Sequence, residues 1–351
     1  MPNDCSTILY ISSNDGSDMR INKEVKSLQK HSEVIFFGVG DHSKCYVAPF
    51  CKEVILVKGK RNSIPVLAKQ VLVFIKLLFT KKIKSIHIIN EQLYIFFYPS
   101  LFFKHTVLDL FDSIFLRENK SGEKMKWIKR LLYWPANTIL VTDENRYELM
   151  PKLIQSKCLV LPNYPEYFEF KKDKEKSGDL RILYNGWMGL NRGTEIIEGL
   201  LKTNLPLKVY MAGWFSEEYT KNLVGAYPEK IDYLGVIPQK LSLELAQTKS
   251  DYILCVYAPI NENNINASPN KVYDAIQTET PLIINSEVKI SDWVKQKGIG
   301  FILPQYNVED YPCLYNNLHA AKNTFNFNSE LKHTYTWERV EGNLLKSHQL
   351  V

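Results

Sequence analysis

Short apolar runs recur at fairly even intervals along the first half of the chain, separated by polar or helix-periodic stretches. They are TILYIS, EVIFFGVG, EVILVKG, SIHIIN, TVLDLFD, TILVTD and CLVLPN. Runs of this length that are rich in β-branched and aromatic residues are typical of β-strands, and most stretches between them have helical periodicity. This alternation predicts a doubly wound parallel sheet.

The same alternation restarts after residues 169–179, a charged stretch without apolar periodicity that we interpret as a linker. The later runs are RILYNG, LKVYMAG, IDYLG, DYILCVYA, TPLIIN and GIGFIL. We therefore predict an α/β fold with two Rossmann-like domains, residues 1–168 and 180–333, and a packed terminal helix in residues 334–351. Because open parallel sheets bind ligands beyond the carboxyl ends of their strands, we expect the function in a cleft between the domains.

Length and composition agree with a two-domain globular protein. The chain has 351 residues, of which 45% are hydrophobic and 23% charged, enough for two buried cores. The net charge is +6, and basic and acidic residues are interspersed. Nucleic-acid binding is therefore not indicated, whereas attraction to phosphates or to an anionic membrane leaflet stays open.

Cysteine usage and the N-terminal residues predict a cytoplasmic protein. The six cysteines are Cys5, Cys45, Cys51, Cys158, Cys255 and Cys313. They form no CxxC pair, and we interpret them as buried free thiols rather than disulfides or zinc ligands. The N-terminus lacks the charged region and long apolar region of a signal peptide. No apolar run is long enough to span a bilayer.

The segment NASPNKVYDAIQTETPLII, residues 266–284, contains the first candidate site. We predict a helix that begins at about Pro269, with Ser268 as its N-cap. The free amides at the helix start, with Lys271 in the first turn, would bind an anion. Asp274, one turn further on, could accept hydrogen bonds from the two hydroxyls of a ribose. The alternative is a plain capped helix in which Lys271 is solvated and Asp274 interacts with the helix dipole.

A second pattern for anion binding precedes it in RILYNGWMGLNRGTEIIEGLL, residues 181–201. A predicted strand leads into a loop with three glycines, Gly186, Gly189 and Gly193, and an amphipathic helix follows. Glycines allow backbone amides to approach a phosphate closely, and Arg192 can bind a phosphate with two hydrogen bonds. The spacing is not the dinucleotide-binding fingerprint, so the argument depends on finding two such helix starts in one domain.

From residue 181 onward these motifs resemble the donor-binding domain of GT-B glycosyltransferases, in particular glycosyltransferase family 4 and its bacterial surface-polysaccharide relatives. The matching stretches are YNGWMGLNRG, LKVYMAG, IDYLGVIPQKLSLELAQTKSDYILCVYAP and ASPNKVYDAIQTETPLII, in family order. Residues 17–38 are similar, more loosely, to the family's opening loop, helix and second strand. The TYTWERV segment resembles the family's closing helix, which crosses back to the N-terminal domain.

The resemblance implies a nucleotide-sugar donor site in the second half. Arg192 stands where the family has a lysine that binds the donor diphosphate, and Trp187 stands where many members have an arginine. Lys271 could supply that second cation. The paired acids of the family correspond to Asn266 and Asp274, of which only Asp274 is charged. The other implied donor-binding residues are Gly186, Gly189, Ser268, Asn270 and, along the base, Gly235, Val236 and Ile237.

Candidates for catalysis and for acceptor binding follow strand ends in the first half. In VLDLFDSIF, residues 107–115, Phe111 and Asp112 align with the His-Asp that many family members carry near the sugar. The candidate catalytic residues are Asp112, Asp109 and Glu91, and the candidate acceptor ligands are Asp15, Gly16 and Arg20. The alternatives are acids that cap the next helix and a solvated loop. We interpret His87 as a core histidine.

We expect neither a metal ion nor another cofactor. No DxD motif follows a strand as metal-dependent GT-A enzymes require, and no group of histidines or cysteines has the spacing of metal ligands. Arg192, Lys271 and helix dipoles would instead meet the charge of the leaving diphosphate.

These features predict a hexosyltransferase-like glycosyltransferase that uses a nucleotide-diphosphate sugar and builds a bacterial polysaccharide such as a capsule or O-antigen. Its acceptor would be a saccharide or lipid-linked saccharide, and the resemblance implies a retaining reaction. The alternatives are a catalytically silent GT-B protein that binds a nucleotide or a partner glycosyltransferase, and a GT-B sugar-nucleotide epimerase.

Two aromatic and apolar runs, residues 71–79 and 93–103, raise the question of a membrane surface. They are flanked by Lys81, Lys82, Lys84 and Lys104. This pattern fits a peripheral protein whose N-terminal domain faces the inner leaflet. It fits helices buried against a sheet equally well.

Overall fold

The computed structural model describes residues 7–61, 63–119, 123–169, 174–175 and 177–351. The chain divides into two compact units, of which the first comprises the chain through Asn163 together with Trp337–Val351 and the second comprises Tyr164–Thr336. Residues 170–173 and 176 of the predicted linker, and Cys5, lie outside the described residues. The other five cysteines are free, as predicted, but only Cys45, Cys158 and Cys255 are buried. Cys51 is half-buried and Cys313, on α14, is exposed, so the prediction of buried thiols was wrong for these two.

Seven parallel strands form the sheet of the first unit: β1 (Thr7–Ile11), β2 (Glu33–Val39), β3 (Glu53–Val57), β4 (Ile83–Ile89), β5 (His105–Leu110), β6 (Thr138–Val141) and β7 (Cys158–Val160). Their order across the sheet is β3-β2-β1-β4-β5-β6-β7. The order in which strands are added therefore reverses at β1, which lies between β2 and β4.

The helices that connect these strands are α1 (Met19–Leu28), α2 (Ile64–Thr80), α3 (Asn90–Phe97), α4 (Ile114–Arg117), α5 (Glu123–Tyr133), α6 (Glu144–Glu148) and α7 (Lys152–Gln155). Short 3₁₀ segments span His42–Lys44, Ala48–Phe50 and Tyr98–Phe103. One face of the sheet packs against α2, α3 and α5 through an apolar core that includes Phe74, Phe97 and Tyr133.

Six parallel strands form the sheet of the second unit: β8 (Leu180–Met188), β9 (Leu207–Phe215), β10 (Ile231–Tyr233), β11 (Tyr252–Leu254), β12 (Leu282–Asn285) and β13 (Gly300–Leu303). Their order is β10-β9-β8-β11-β12-β13. The helices are α8 (Thr194–Lys202), α9 (Glu218–Ala226), α10 (Gln239–Lys249), α11 (Glu262–Ile265), α12 (Asn270–Thr278), α13 (Ile290–Lys297), α14 (Tyr311–Ala321) and α15 (Ser329–Thr334).

Apolar cores cover both faces of the second sheet. One core contains side chains of α8 and α14, including Ile197 and Leu318. The other contains side chains of α10, α12 and α13, including Ala246, Ile276 and Val294. Because both faces are covered, the strands consist of nearly continuous apolar residues, which is the pattern that marked them in the sequence.

The last helix, α16 (Trp337–Ser347), belongs to the first unit and packs against α1, β6 and β7. Its apolar face buries Trp337, Leu344 and Leu345. The indole Nε1 of Trp337 donates a hydrogen bond to Ser27 Oγ at 2.8 Å. Burial of two leucines and a tryptophan, at about 1.5–3 kcal/mol for each large side chain, holds the helix on this unit.

The predicted fold class is confirmed, since each of the apolar runs identified in the sequence overlaps one of the observed parallel strands. Within the described ranges, no helix combines the length and the apolar content needed to cross a bilayer.

Candidate functional site

The start of α12 differs by one residue from the prediction. The helix begins at Asn270, and Pro269 occupies the N-cap position with φ −74° and ψ 130°. Ser268 is therefore not the N-cap, and no side chain caps this helix start. The extended ψ of Pro269 delays the helical conformation by one residue. As a result, the first turn of α12 lacks the hydroxyl acceptor that we expected there.

Lys271 lies in the first turn of α12 and reaches the carboxyl end of a neighbouring strand. Its Nζ donates a hydrogen bond to the carbonyl oxygen of Leu254, the last residue of β11, at 2.8 Å. Burial lowers the pKa of Lys271 to about 8. Cys255 and Asp274 oppose this shift, and the charge of Arg192 adds to it. The structure thus brings Arg192, Lys271 and Asp274 together at one edge of the sheet.

Arg192 is half-buried, and its guanidinium lies over the ring of Tyr257 at 4.3 Å from the ring centroid. Among the described residues, no carboxylate forms an ion pair with Arg192 or Lys271. Two neighbouring cations without a paired acid attract an anion, and a guanidinium that stacks on an aromatic ring keeps its N–H groups in one plane for bidentate binding.

The glycine-rich loop does not offer its own amides as we expected. Gly189 N donates to Tyr184 Oη at 2.8 Å, Leu190 N to Glu217 Oε1 at 2.9 Å, Asn191 N to Glu195 Oε1 at 2.9 Å and Gly193 N to Tyr306 Oη at 3.2 Å. The amides of Arg192 and Thr194 donate to the carbonyl oxygen of Gly189. The loop is therefore a rigid support for the Arg192 side chain.

Gly193 is required by this loop for a steric reason. Its φ is 106°, and a Cβ atom at this position would lie 2.7 Å from side-chain atoms of Leu254 and Val256. Gly186 also has a positive φ, 85°, with open space around it, whereas a Cβ on Gly189 would collide with Ser216.

Asp274 is buried and accepts a hydrogen bond from Gln239 Nε2 at 3.3 Å. Gln239 is the first residue of α10, two positions after Ile237. This hydrogen bond links Asp274, the ribose-binding candidate, to the segment that follows the Gly235–Ile237 turn. In that turn Gly235 has φ 69° and Val236 is exposed. Sequence analysis missed Gln239, because no spacing rule connects it to a residue 35 positions away.

The other donor-binding candidates of residues 266–270 differ in how far they are exposed. Asn266 is buried, and its Nδ2 donates to the carbonyl oxygen of Glu262 at 2.8 Å. Ser268 is half-buried, and Asn270 is exposed. Ser268 and Asn270 are therefore the accessible side chains beside Lys271.

Two tryptophans are exposed side by side at the carboxyl ends of β8 and β9. Trp187 is 67% exposed and Trp214 57% exposed, and they are register partners in the sheet. Sequence analysis identified Trp187 but missed Trp214, although the apolar run of β9 continues into it. Large exposed rings at the ligand-binding edge of a parallel sheet can stack on a base or a sugar.

In the first unit, Arg20 and Asp109 form a buried ionic network instead of an exposed acceptor site. Arg20 Nε donates to Glu24 Oε1 at 2.7 Å, and Arg20 Nη2 donates to Asp109 at 2.8 Å. His87 Nε2 lies 3.4 Å from Glu24 and 3.5 Å from Asp109. All four side chains are at most 3% exposed, so bulk solvent does not reach them.

The network has strongly shifted pKa values. Burial raises the pKa of Asp109, and Arg20 only partly opposes the shift. Burial opposes ionisation of Glu24, but Arg20, His87 and Tyr10 together outweigh it and keep the pKa of Glu24 well below its usual range. Burial likewise opposes the charged ring of His87, yet the facing Asp109 and Glu24 raise its pKa. Two acids thus face two bases in the interior of the domain.

Glu24, His87 and Asp109 each bring a potential ligand atom within 4.8 Å of one another, which is close enough for a metal ion. This grouping comes from three separate elements, so sequence spacing did not reveal it. However, Arg20 already donates to both carboxylates. A cation would have to displace a buried guanidinium, and the geometry fits an ionic network that joins α1 to β4 and β5 better.

His87 is a core histidine, as predicted, and it contacts a second buried histidine. Its Nδ1 lies 3.0 Å from His348 Nε2, and His348 Nδ1 lies 2.8 Å from Ser85 Oγ. His348 directly follows α16. Burial lowers the pKa of His348 well below its usual value, and the neighbouring His87 and His105 act in the same direction.

Glu91 is buried in the first turn of α3. Its carboxylate accepts hydrogen bonds from the hydroxyls of Ser113 and Tyr133, at 2.7 and 2.8 Å. The amide of Ile114 also donates to it, at 3.3 Å. These contacts fasten the start of α4, so the structure gives Glu91 a positioning role for the loop that precedes this helix.

Asp112, by contrast, has a side chain that is 65% exposed, 4.0 Å from Arg146 Nη2. Its backbone amide donates to Asn90 Oδ1 at 3.0 Å, which fixes the turn after β5. Among the acceptor candidates, Asp15 is buried, and its Oδ1 accepts a hydrogen bond from Ser17 N at 3.2 Å. Gly16, between them, has a positive φ of 83°. Of the three catalytic candidates, only Asp112 is accessible.

A cavity of about 360 Å³ lies beside the glycine-rich loop, on the side of the second sheet that α8 and α14 cover. It is lined by Asn191, Glu195, Ile260, Tyr306 and Tyr311, among others. Lys271 and Asp274 belong to α12 and are not among the residues that line the cavity. The lining thus includes Asn191, the neighbour of Arg192 in sequence, but neither of the two cations.

Comparison by sequence identifies no relative, since no known family profile and no curated protein matches the chain. Solved structures, in contrast, match it over nearly its full length. HepE of Anabaena, in complex with UDP-glucose, matches with a TM-score of 0.71 at 12% identity, over 98% of this chain and 100% of that chain. Sucrose-phosphate synthase of Thermosynechococcus elongatus matches with a TM-score of 0.74 at 11% identity, over 98% of each chain.

A glycosyltransferase of Rickettsia africae matches with a TM-score of 0.72 at 12% identity, over 99% of this chain and 98% of that chain. These structures share the GT-B architecture of two consecutive Rossmann-like domains. The chain therefore has the GT-B fold. At such low identities the comparison concerns the fold, and the chemistry has to be argued from the residues.

Proposed function

We propose that this chain is a glycosyltransferase that transfers a sugar from a nucleotide-diphosphate sugar to a hydroxyl group of a saccharide. The observation that carries the proposal is that Lys271 contacts the last residue of β11 and Arg192 stacks on Tyr257 just beyond it, with Asp274 in the next turn of α12. Two cations beside one carboxylate suit a diphosphate joined to a ribose. The GT-B fold, which HepE in complex with UDP-glucose also has, supports the same proposal.

In this proposal the diphosphate binds between the Arg192 guanidinium and the Lys271 ammonium, at the uncapped start of α12. Asp274 accepts hydrogen bonds from the ribose hydroxyls, and Gln239 orients its carboxylate. The Gly235–Ile237 turn contacts the base. The accessible Ser268 and Asn270 contact the sugar or the phosphates, and Trp187 stacks on one face of the ligand.

The proposed roles of Arg192 and Lys271 depend on where negative charge develops during the reaction. As the bond between the sugar and the diphosphate breaks, negative charge grows on the leaving diphosphate oxygen. Arg192 and Lys271 stabilise that charge directly, because they are already positioned and partly desolvated. We therefore propose a reaction that needs no metal ion, and retention of the anomeric configuration as in the family that the motifs resemble.

The acceptor hydroxyl is proposed to bind at the first unit. Asp112 is the exposed acid there and would accept a hydrogen bond or a proton from the hydroxyl. Asp109, Arg20 and Glu91 then serve as positioning residues, because they fix the β5 strand and the turn after it from inside the domain. We propose a saccharide or lipid-linked saccharide as the acceptor, in the synthesis of a bacterial polysaccharide such as a capsule or O-antigen.

One observation favours a second candidate, a catalytically silent GT-B protein that binds a nucleotide. Asp109 and Glu91 are sealed in the interior, and Phe111, Trp187 and Asn266 stand at positions where the resembling family carries functional polar residues. Such a protein would still bind a nucleoside diphosphate through Arg192 and Lys271.

Nucleotide binding is tested first, by thermal shift and calorimetry of the full chain with UDP, GDP, CMP, dTDP and their common sugars. We expect one nucleoside diphosphate to stabilise the protein. Arg192→Gln and Lys271→Met should each weaken binding by about tenfold or more, because a hydrogen bond to a charged group contributes about 1.5–3 kcal/mol. Lys295→Gln, an exposed lysine of α13, is the control and should bind normally. If no nucleotide shifts the wild type, the proposal fails.

Release of nucleoside diphosphate from the matching sugar donor then separates the two candidates. An enzyme hydrolyses some donor even without acceptor, and Asp112→Asn should alter turnover with acceptor while donor binding stays unchanged. A protein that binds the nucleotide but releases no product under any condition is the silent alternative.

A further inference from the structure

The outward sides of α2, α3, the 3₁₀ segment Tyr98–Phe103 and α5 form one exposed surface on the first unit, here called the aromatic-basic face. Its apolar members include Leu72, Phe79, Phe103, Trp127 and, directly after α5, Trp134, each at least 60% exposed. Side chains of this size are seldom so exposed in groups, and an apolar patch of this kind marks an interaction surface.

These elements are neighbours in the fold. The rings of Phe74 on α2 and Phe97 on α3 lie 4.3 Å apart. Tyr98 Oη donates a hydrogen bond to the carbonyl oxygen of Leu131 on α5 at 2.6 Å. Because side chains of all four elements belong to one core on the same side of the sheet, their outward sides lie on the same side of the unit.

Helix α2 shows most clearly that the face lacks a cover. Val66, Phe74 and Leu77 point into the core, as expected for a helix that covers a sheet. On the opposite stripe, Leu72, Ile75 and Phe79 follow one another at helical spacing and are exposed. An amphipathic surface helix carries polar residues there. The apolar outer stripe of α2 thus contributes nothing to the interior of this chain.

The charges on the same face identify the kind of partner. From Lys60 to Lys104 the sequence contains eight basic residues, of which Lys81 pairs with Glu53, and one acidic residue, Glu91, which is buried. Lys69 and Lys76 lie exposed on α2 between its apolar residues. In the part of the chain that the structure describes, no carboxylate pairs with either of them. A second copy of this face would be repelled by its own charge, whereas an anionic surface would be attracted.

We infer that the aromatic-basic face docks on an anionic lipid bilayer. Phenylalanine and tryptophan side chains enter the boundary between acyl chains and headgroups, and interspersed lysines bind lipid phosphates. The inference does not depend on the proposed function. If that function holds as well, the docked unit would meet an acceptor whose lipid carrier lies in the same bilayer.

Vesicle flotation of the full chain tests the inference without nucleotide or saccharide. The protein should float with vesicles of phosphatidylcholine and phosphatidylglycerol, bind phosphatidylcholine alone at least several-fold more weakly, and be partly released by salt. Lipids brominated in the acyl chain should quench part of the tryptophan fluorescence, because Trp127 and Trp134 lie on the face. Wild-type protein that stays unbound with both vesicle types would overturn the inference.

Two pairs of variants assign the binding to this face. Leu72→Ser with Phe79→Ser, and separately Lys69→Glu with Lys76→Glu, should each reduce vesicle binding at least tenfold. The matched controls are Leu241→Ser for the apolar pair and Lys221→Glu with Lys295→Glu for the charged pair, all exposed on the second unit. Because the altered side chains are exposed, circular dichroism and the thermal midpoint should stay unchanged.

Two outcomes contradict the assignment. The first is equal loss of binding in the control variants. The second is a dimer, seen by light scattering without vesicles, that the Leu72 and Phe79 substitutions dissociate, since the occupant of the face would then be a second copy. If the serine pair fails to fold, the glutamate pair decides the question alone.

Discussion

At the scale of single residues, two aspartates at the carboxyl end of β5 have opposite environments. Asp109, on β5, is fully buried against Arg20, and Asp112, three residues later, is exposed. A buried charge that loses its partner costs far more than an exposed one, because the remaining charge stays without water. This difference separates residues that maintain the structure from those that can contact a substrate.

We therefore expect Asp109→Asn to lower the free energy of unfolding by about 3–5 kcal/mol, because it leaves the buried Arg20 with one charged partner fewer. Asp112→Asn should change it by no more than about 0.5 kcal/mol, as is usual at exposed sites. Urea denaturation followed by circular dichroism measures both. A loss of stability in Asp112→Asn that equals the loss in Asp109→Asn would contradict this assignment.

Lys271 should make nucleotide binding depend on pH. Its pKa is lowered to about 8, mainly by burial, so the side chain is charged at neutral pH and loses its proton as the pH rises through this value. Affinity for a nucleoside diphosphate should therefore fall between about pH 7 and pH 9. Lys271→Arg keeps its charge over this range, so its affinity should change less. Calorimetry at several pH values checks the difference, and identical profiles would exclude Lys271 from the site.

At the scale of secondary-structure elements, the last helix depends on polar contacts as well as on burial. Trp337 and Asn343 of α16 donate hydrogen bonds to Ser27 and to the carbonyl oxygen of Val160. Just beyond the helix, His348 contacts His87. A hydrogen bond between two ring nitrogens contains a single proton, so this contact requires that His87 Nδ1 and His348 Nε2 not both be protonated.

This requirement predicts a stability that falls in acid. The pKa of His348 is lowered by burial in the folded state, whereas an unfolded histidine takes up a proton near pH 6.5. Below this pH the unfolded chain binds more protons at residue 348 than the folded chain does, so the contribution to stability decreases as the pH falls. His87 has a raised pKa and the opposite trend, but it is present in both proteins compared below.

His348→Gln can still make a hydrogen bond but has no proton to gain. We expect the wild type to be more stable by about 1–3 kcal/mol near pH 8, because the variant disturbs a buried hydrogen-bond chain. This advantage should shrink as the pH is lowered to about 5. Urea unfolding of both proteins across the range measures it. An advantage that grows in acid would refute the role assigned to His348.

At the scale of the whole molecule, the two units have separate cores, and the proposed nucleotide site belongs to the second unit alone. Hydrogen exchange of the full chain with and without the nucleoside diphosphate should therefore show new protection around residues 235–239 and 270–274. The buried amides of β4 and β5 should not change, because they are already protected by the core. Protection confined to the first unit would place the nucleotide elsewhere and contradict the proposed donor site.

The sequence by itself determined the strands, the fold class and the two segments that supply the cation pair. Alternation of apolar and polar residues is a local property, and each strand of these sheets is apolar enough to be identified without its neighbours. Arg192 and Lys271 could be named because glycine, proline and positive charge mark helix starts within a few residues. The one-residue error at Ser268 arose because a proline can occupy either of two adjacent positions at such a start.

Only the tertiary structure decided which polar residues remain accessible. Arg20 and Asp109 are 89 positions apart, and Gln239 and Asp274 are 35 apart, so no local pattern shows that they meet. The same holds for the loop amides, which are satisfied by side chains of Tyr184, Glu217 and Tyr306. Burial and pairing depend on strand order and on which helices cover each face. For this reason the identity of the chemically important residue types was predictable here, and their exposure was not.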